Sequence, residues 1–149
     1  TDKDGKVQHN IYLSLESFAD AEERVKENEK GDVQVELDKI YFDFDKSNIR
    51  EDAATTLNVL VELMKKYPSM EIEVSAHTDA RGGDQYNLDL SKRRAASTLE
   101  YLVSQGIERN RLKSIGYGEM QPLNKCVKEG ICTEAEYDIN RRCEFTILN

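Results

Sequence analysis

The sequence predicts an α+β fold in which helices cover one face of a mixed β-sheet and leave the other face exposed. Its 149 residues are enough for one domain and too few for two well-packed ones. Short runs of alternating apolar and polar residues, typical of strands with one buried face, are separated by long segments with an apolar stripe at helical spacing. The resulting order is β-α-β-α-β followed by a last strand, which predicts helices on one side of the sheet.

Residues 1–36 differ from the rest of the chain, and we interpret them as a partly ordered connector from an upstream domain. This leaves 37–149 as the domain itself. The connector contains one short alternating run at Ile11–Leu15 and a charged helix candidate from Ser17 to about Asn28. The apolar residues of that candidate form only a narrow stripe, so the helix would contribute little to a core.

The first strand and the first helix open the orderly part of the pattern. Ile40, Phe42 and Phe44 alternate with more polar neighbours, which predicts a strand with one buried face. A helix is predicted over about residues 50–67, and Pro68 ends it. The apolar stripe of this helix consists of Ala53, Leu57, Leu60, Val61 and Met64.

The second strand and the long helix are joined by a glycine-containing loop. Alternation over residues 71–78 predicts the strand, and residues 80–83 form the loop. The long helix is predicted from Asp84, which we expect to cap it, to about Gln105, and Gly106 ends it.

Three shorter elements complete the chain. A third strand is predicted over residues 111–117 and a short helix over residues 133–139. In the last strand an inward-facing set alternates with polar residues. The inward-facing set consists of Cys143, Phe145 and Ile147.

The composition argues against several classes of function. The formal net charge is -8, so a general phosphate-binding role and nucleic-acid binding are not expected. No apolar run approaches the roughly 18 residues of a membrane-spanning helix, so direct membrane insertion of this segment is not expected. The opening residues TDKDGKVQHN lack the basic start and apolar stretch of a signal peptide.

The densest cluster of chemically useful residues runs from His77 to Gly82, where the second strand ends. The carboxyl end of a strand is a common ligand site in α/β sheets. A polar stripe on the following helix lies beside its apolar stripe and consists of Asn87, Ser91, Arg94 and Thr98. Asp79 and Arg94 could therefore face each other. They would form an internal salt bridge, or Asp79 would only close the strand-to-helix turn. Alternatively the pair would grip a zwitterion, with Asp79 on the ammonium and Arg94 on the carboxylate, and a salt bridge could open for such a ligand.

His77 also permits an enzymatic interpretation as a general base beside Asp79, because residues i and i+2 of a strand point to the same face. No convincing nucleophile, oxyanion turn or second catalytic carboxylate accompanies the pair in the sequence, so catalysis is not expected and no catalytic residue is assigned. A metal site at His77 and Asp79 is not expected either, because the second histidine, His9, lies in the connector. No cofactor is predicted.

Four separated motifs resemble the OmpA-like peptidoglycan-binding domain: IYFDFDKSNIREDA, HTDARGGDQYNLDLSKRRA, GYGEMQP and NRRCEF. That family includes periplasmic domains of outer-membrane porins, peptidoglycan-associated lipoproteins and flagellar stator subunits. The resemblance covers roughly Val35 to Leu148, in order and at the family's usual spacing. The segment NKCVKEGICTEAEYDINRR is similar to the Bacteroidetes branch, in which this loop carries a cysteine pair.

The resemblance implies a β-α-β-α-β-β two-layer sandwich that is not an enzyme. The implied partner is cell-wall peptidoglycan, held non-covalently at the meso-diaminopimelate of its stem peptide, with Asp79 and Arg94 as the principal ligand-holding residues. The implied supporting pocket and first-strand rim consist of Thr78, Asn87, Leu90, Arg142, Phe42, Asp43 and Asp45. The implied location is periplasmic, where the domain tethers an outer-membrane or outer-membrane-anchored protein to the wall.

The cysteine pattern argues against a zinc or thioredoxin-type site, because it contains no Cys-x-x-Cys pair. Cys126 and Cys132 would form a loop disulfide in an oxidising compartment and stay free thiols in a reducing one. The periplasmic location implied by the resemblance favours the disulfide. Cys143 is then expected to be a free, buried thiol on the core face of the last strand.

The chain departs from the commoner family pattern before Asn140. Many members have Glu-Gly-Arg there, whereas this chain reads Glu-Ala-Glu-Tyr at residues 134–137, so a basic residue is lost from the turn. Arg141 and Arg142 remain, and spacing leaves open which of the two is nearer the pocket. An alternative function is an OmpA-fold protein-interaction or stator-type module with weak wall affinity.

Overall fold

The computed structural model describes residues 24–149, and the structural statements below concern that part of the chain. Five strands form one mixed sheet, and two long helices and one short helix accompany it. This architecture confirms the predicted α+β class. The strands are β1 Val25–Glu27, β2 Val33–Val35, β3 Ile72–His77, β4 Leu112–Gly118 and β5 Arg142–Ile147. The helices are α1 Glu51–Lys66, α2 Asp84–Ser104 and α3 Glu134–Asp138.

The order of the strands brings distant parts of the sequence together. In space the order is β1-β2-β5-β3-β4, with β3 parallel to β4 and antiparallel to β5. His77 at the end of β3 is paired with Arg142 at the start of β5. The loop after β3 therefore lies beside the residues that precede β5, although about 60 positions separate them in the chain.

The helices begin and end within two residues of the predicted positions. All five apolar side chains predicted for the stripe of α1 are buried. Gly83, not Asp84, occupies the N-cap of α2, and Asp84 is the first helical residue, where its carboxylate still favours the positive end of the helix dipole. Within residues 24–149, none of the helices is long and apolar enough to cross a membrane.

The core lies between the sheet and the two long helices. β3 contributes the inward-facing Ile72 and Val74, which are fully buried, and β5 contributes Phe145 and Ile147. The fully buried side chains of the helices in this cluster include Leu57, Leu60, Met64, Ala95 and Leu102. The helical and strand periodicities read from the sequence therefore converge on one apolar layer.

The predicted helix from Ser17 to about Asn28 is wrong where the structure describes it, because Val25–Glu27 form β1. This strand pairs with β2 as an antiparallel hairpin at the edge of the sheet. Val25, Val33 and Val35 are buried in the core cluster, so burial of alternate valines outweighs the weak helical stripe. Residues 1–23, with the Ile11–Leu15 run and the start of the helix candidate, lie outside the described residues.

The predicted strand containing Ile40, Phe42 and Phe44 is also wrong. Residues 36–45 belong to no strand, because β2 already occupies the position beside β5 through the Gln34–Thr146 pair. Ile40 is buried and Phe42 half-buried, as the alternation predicts, but Phe44 is 93% exposed. This segment instead crosses one end of the domain, where it forms part of the cavity described below.

Gly116 permits the close approach of β4 to α2. A Cβ atom built on Gly116 would lie 2.2 Å from the backbone nitrogen of Lys92 and 2.6 Å from its Cα. Two residues on, the amide of Gly118 donates a 2.8 Å hydrogen bond to Ser91 Oγ. Part of the polar stripe predicted on α2 therefore serves the contact between helix and sheet rather than a ligand.

We expect Gly116→Ala to destabilise the domain by about 2–3 kcal/mol, because helix and strand backbones must separate to admit the methyl group. Urea unfolding followed by circular dichroism measures the change. Gly83→Ala is the control, since its Cβ would have its nearest neighbour at 4.0 Å and its φ is -76°. The control is expected to cost about 1 kcal/mol or less, the usual range for alanine at an N-cap. Equal midpoints for the two variants would contradict this account of the contact.

Candidate functional site

A cavity of about 670 Å³ opens beside the carboxyl end of β3. This volume lies within the usual range for small-molecule sites. Its walls come from the loop after β3, the first turns of α2, residues 39–45, α3 and the start of β5. The predicted site residues that line it are Phe42, Asp45, Thr78, Asp79, Asn87, Leu90, Arg94 and Arg142.

Asp79 forms the charged floor of the cavity and is 6% exposed. Its Oδ1 accepts hydrogen bonds from the backbone amide of Arg81 at 2.8 Å and from Arg81 Nε at 3.2 Å. Its Oδ2 accepts from Arg81 Nη2 at 2.8 Å and from Arg141 Nη1 at 2.5 Å. A carboxylate offers about four acceptor positions, so these four bonds fill them. The salt bridge between Asp79 and Arg94, one of the alternatives that the sequence left open, is not formed, because Arg81 and Arg141 are the partners of Asp79.

These contacts fix the protonation state of the group. Burial alone would raise the pKa of Asp79, but the hydrogen bonds from Arg81 and Arg141 outweigh it and hold the pKa below the usual value. The hydrogen bond to Asp79 raises the pKa of Arg81. Burial would lower the pKa of Arg141, but its bonds to carboxylates raise it. The floor is thus an ionised carboxylate held between two permanent cations.

The two arginines are linked by a second carboxylate. Glu134, the first residue of α3, accepts from Arg81 Nη1 at 2.8 Å and from Arg141 Nη2 at 2.6 Å. Arg141 Nη2 also contacts Asp138 at 2.7 Å, and Asp138 pairs with Lys39. The Arg81 guanidinium lies 4.6 Å from the ring centre of Tyr137. Because each arginine is held by several partners, the floor is a connected network rather than a single ion pair.

Arg94 forms part of the cavity wall contributed by α2. Its Nε donates to the carbonyl of Lys46 at 2.9 Å and its Nη2 to the carbonyl of Asp43 at 3.2 Å. Its guanidinium carbon lies 4.8 Å from the ring centre of Phe42. Among residues 24–149 no hydrogen-bond partner is found for Nη1, so part of the guanidinium fork stays available to a ligand. Burial lowers the pKa of Arg94 from the usual arginine value.

The predicted rim is only partly correct in its details. Asp45 lies on the cavity with a positive φ of 62° and accepts a hydrogen bond from the hydroxyl of Tyr86. The carboxylate of Asp43 does not line the cavity and pairs with Arg50 at 3.2 Å, so only its carbonyl serves the site, through Arg94. Phe44, which the sequence analysis did not assign to the site, lines the cavity mouth.

The supporting residues position the loop that carries Asp79. Asn87 Nδ2 lies 3.0 Å from the carbonyl of Arg81 and 2.8 Å from Glu119 Oε1. The hydroxyl of Thr78 donates to the carbonyl of Asp79 at 3.0 Å. Leu90 is buried and lines the cavity as an apolar surface. Asn87 and Thr78 are thus bound to the loop in this structure, and a direct role of either in ligand binding stays a prediction.

The structure separates the two arginines before Cys143. Arg141 reaches Asp79, whereas Arg142 donates to Glu144 at 2.8 Å and to the carbonyl of Gln121 at 2.9 Å. Arg142 still lines the cavity, but its hydrogen bonds hold the chain after β4. Arg142 was predicted as a site residue, the choice between Arg141 and Arg142 as the nearer one was left open, and Arg81 and Glu134 were missed. The sequence signal for Arg81 was its position two residues after Asp79, because an aspartate side chain often accepts a hydrogen bond from the backbone amide two residues later.

His77 lines the same cavity as Asp79, but its ring contacts other residues. Its ring stacks on Tyr117 at 5.2 Å, and its Nε2 lies 3.3 Å from Ser75 Oγ and 3.7 Å from Glu144. Its Nδ1 is buried without a hydrogen-bond partner among the described residues. No hydrogen bond joins His77 to Asp79 among the described residues, so the pair that a general-base interpretation would need is not formed.

The cysteines adopt the predicted pairing. Cys126 and Cys132 form a disulfide, and Cys143 is free. The residue Cys143 is half-buried at the edge of the core and lines the cavity, rather than fully buried as predicted. Burial raises the pKa of Cys143 to about 12, so the thiol stays protonated near neutral pH. Glu136 lies near the two bonded sulfur atoms, but a disulfide lacks the thiolates that a metal site of this kind needs.

Comparison with known proteins gives one consistent family. The OmpA family profile matches residues 41–130. The peptidoglycan-associated lipoprotein of Rhizobium meliloti is 45% identical over 89 residues, which are 60% of this chain and 51% of that protein. The protein of the same name from Brucella melitensis is 39% identical over 112 residues, 75% of this chain and 63% of that protein. The chain thus spans 51% to 63% of the length of these relatives.

Solved structures show the same fold. The crystal structure of the peptidoglycan-associated lipoprotein from Burkholderia pseudomallei matches with a TM-score of 0.64 and 26% identity, over 74% of this chain and 89% of that one. A putative MotB-like protein from Desulfovibrio vulgaris matches with a TM-score of 0.68 over 95% of this chain and 90% of that one. Its identity is 22%, so this likeness concerns the fold alone.

The buried His77 leads us to expect a loss of stability in mild acid. Burial, with the nearby charge of Arg142, lowers its pKa to about 4, and Lys30 adds to this while Glu144 opposes it. An unfolded histidine titrates near pH 6.5, so the unfolded chain binds more protons between these values. The contribution of His77 to the free energy of unfolding is therefore complete above pH 6.5. It is lost as the pH falls towards 4, and the loss reaches about 2 kcal/mol at pH 5.

Urea unfolding at pH 7.5 and pH 5.0 checks this expectation. The free energy of unfolding of His77→Gln should differ less between the two pH values than that of the parent protein, whatever the absolute stability of the variant. His9→Gln is the matched control, because it removes the other histidine of the chain. An unchanged pH dependence in His77→Gln would show that another group is responsible.

Proposed function

The chain belongs to the OmpA family, and on that premise we propose that it binds cell-wall peptidoglycan non-covalently. The names of its peptidoglycan-associated relatives support the partner. The observation that carries the proposal is that one cavity is lined both by an ionised Asp79 and by Arg94, whose guanidinium still has hydrogen-bond donors without a partner among the described residues. Groups of opposite charge on one cavity suit a ligand that carries both charges.

We propose that the ligand group is the meso-diaminopimelate of the stem peptide. Its free side-chain end carries an ammonium and a carboxylate on one carbon atom. Arg94 can bind the carboxylate through its free Nη1 and the second hydrogen of Nη2, in the planar two-bond arrangement that guanidinium favours. The ring of Phe42 supports the guanidinium from one side. The ammonium is then directed towards Asp79.

The ammonium must replace a cation on Asp79, because the four acceptor positions are filled. Arg141 is the partner that can leave, since its Nη2 keeps Glu134 at 2.6 Å and Asp138 at 2.7 Å. Arg81 is bound to Asp79 through both its backbone amide and its side chain, so it stays in place. One cation replaces another, and no charge is left buried without a partner. This exchange favours ligands with an ammonium over ligands with a carboxylate alone.

We propose binding rather than catalysis from the protonation states of the cavity. Asp79 is ionised but fully hydrogen-bonded, and the Cys143 thiol has a pKa of about 12. Neither group is suited to remove a proton near neutral pH. Retention on purified sacculi without release of wall fragments is the expected behaviour. Release of fragments would instead indicate a wall hydrolase.

We further propose a setting for the domain. A periplasmic location suits the disulfide, and the domain would link an outer-membrane or outer-membrane-anchored protein to the wall. The cysteine pair suits a Bacteroidetes-type member.

The boundary that we predicted at residues 36 and 37 should be moved towards the N-terminus, because β1 and β2 belong to the sheet. Weak single contacts suffice for tethering, since a polymer with many stem peptides provides avidity.

Arg94→Ala and Asp79→Ala are each expected to weaken binding of a diaminopimelate-bearing muropeptide by about 10- to 150-fold. This range corresponds to the roughly 1.5–3 kcal/mol of a hydrogen bond to a charged group. Arg94→Lys should recover little, because an ammonium cannot bind the carboxylate in a planar fork and hold both carbonyls. Isothermal titration calorimetry measures the affinities, with thermal melts to confirm that each variant is folded.

Arg93→Ala is the charge-matched control for these variants. Arg93 is exposed, adjoins Arg94 in α2 and does not line the cavity, so the control should bind within about twofold of the parent protein. Folded Asp79 and Arg94 variants with parent-like affinity would contradict the assigned site. Loss of binding in Arg93→Ala as well would indicate a general charge effect instead.

Competition tests the diaminopimelate assignment. Free meso-diaminopimelate should displace the domain from sacculi, whereas Nα-acetyl-L-lysine amide, which has the side-chain ammonium but no carboxylate, should not do so at the same concentration. The physical reason is that the blocked lysine leaves Arg94 without ligand oxygen atoms. Equal displacement by both compounds would show that Arg94 does not bind the carboxylate of the ligand. Absence of any binding to sacculi would favour a protein-interaction role.

A further inference from the structure

We propose that Glu134 is a positioning residue that holds Arg81 and Arg141 around Asp79, and that the Cys126–Cys132 disulfide holds Glu134 in place. The inference deepens the proposed function and rests on it. It connects a surface loop, outside the core cluster, to the affinity of the cavity. Reduction of the disulfide would then weaken ligand binding while the fold persists.

Glu134 resolves an electrostatic problem at the floor of the cavity. Arg81 and Arg141 both donate to Oδ2 of Asp79, so two like charges meet at one oxygen atom. One carboxylate between two guanidinium groups leaves one positive charge uncompensated. Glu134 supplies the missing negative charge and contacts each arginine with a different oxygen, at 2.8 Å and 2.6 Å. The four groups together are neutral, and the two arginines are held at a fixed separation.

The position of Glu134 depends on a helix that cannot stand alone. α3 has five residues, and a helix this short is unstable without outside contacts. Thr133 caps it with a capping box, in which Glu136 accepts from the amide of Thr133 at 2.8 Å and donates its own amide to the hydroxyl of Thr133 at 3.2 Å. Cys132 is the residue immediately before this cap, so the disulfide acts directly on the first turn.

Tyr137 ties the disulfide loop to the cavity. Its hydroxyl donates to the carbonyl of Lys128 at 2.6 Å and accepts from the amide of Ile131 at 3.2 Å, and both residues lie within the loop that the disulfide closes. The ring of the same tyrosine lies under the guanidinium of Arg81 at 4.6 Å. A continuous series of contacts therefore runs from the disulfide through α3 to Arg81 and Asp79.

The consequence for binding follows from the exchange at Asp79. Arg141 can leave Asp79 for the ligand ammonium only because Glu134 and Asp138 continue to hold it. Without Glu134 the departing guanidinium loses one of its two remaining carboxylates, so the exchange becomes less favourable. The same change leaves the core untouched, because α3 contributes no residue to the core cluster.

The test compares Glu134→Gln with Glu62→Gln, an exposed residue of α1 outside the cavity. Glu134→Gln should lower the affinity for the diaminopimelate-bearing muropeptide about tenfold, the size expected for one charge-assisted hydrogen bond, and Glu62→Gln should not change it. In an Arg141→Met background the effect of Glu134→Gln should shrink to about threefold, because only the contact of Glu134 with Arg81 then remains and coupled residues are not additive. Glu134→Asp should restore part of the affinity, because it retains the charge.

The disulfide is tested by treating the parent protein with a thiol reductant, which acts on the Cys126–Cys132 bond because the third cysteine, Cys143, is already a free thiol. Reduction, or the double change Cys126→Ser and Cys132→Ser, should lower the affinity for the muropeptide about as much as Glu134→Gln does. In the Glu134→Gln variant, reduction should cause little further loss of affinity. Circular dichroism and thermal melts monitor the fold. Parent-like affinity in folded Glu134→Gln, or the same tenfold loss in the Arg141→Met background, would overturn the positioning role. If the parent protein itself fails to bind the muropeptide, the proposed function fails, and this inference falls with it.

Discussion

The arrangement of the cavity depends on one buried carboxylate. Asp79 lies at the end of β3, and its negative charge is acceptable in that position only because two arginines surround it. One arginine comes from the same loop and the other from the residue before β5, so the carboxylate ties two separate parts of the chain together. Removal of either cation would leave a charge buried with incomplete compensation. The candidate site is thus a structural joint as well as the proposed binding surface.

The sheet topology makes this joint possible. β3 lies between a parallel and an antiparallel neighbour, so its carboxyl end is adjacent both to the end of β4 and to the start of β5. α2 begins just after the Asp79 loop and returns across the sheet, which places Arg94 on the same cavity. Three elements that meet at one corner supply opposite charges to a common space. The fold therefore determines which charges meet, and the loops determine how they are paired.

Local periodicity predicted the long elements because their burial follows directly from it. The apolar stripe of α1 and the alternating residues of β3 pack into the same core, so each pattern was compatible with only one type of secondary structure. The segment containing Ile40 carries an equally good alternation but forms no strand, because β2 occupies the edge that it would need. Asp79 and Arg94 were found from strand and helix positions. Arg81 and Glu134 were missed, because a charged side chain in a loop is indistinguishable from a solvated one until its tertiary partner is known.

The edge position of the β1–β2 hairpin has a mechanical consequence. In the proposed tether, tension runs between the occupied cavity and the chain that precedes Val25, so it enters the domain at the outermost strand. An antiparallel hairpin pulled from one end opens one residue pair at a time, so the load falls on a single pair rather than on all pairs together. β2 meets β5 through the Gln34–Thr146 pair and side-chain hydrogen bonds, whereas β3 and β5 share six pairs. The hairpin would therefore yield first and lengthen the tether, while the strands that carry the cavity keep their hold on the wall.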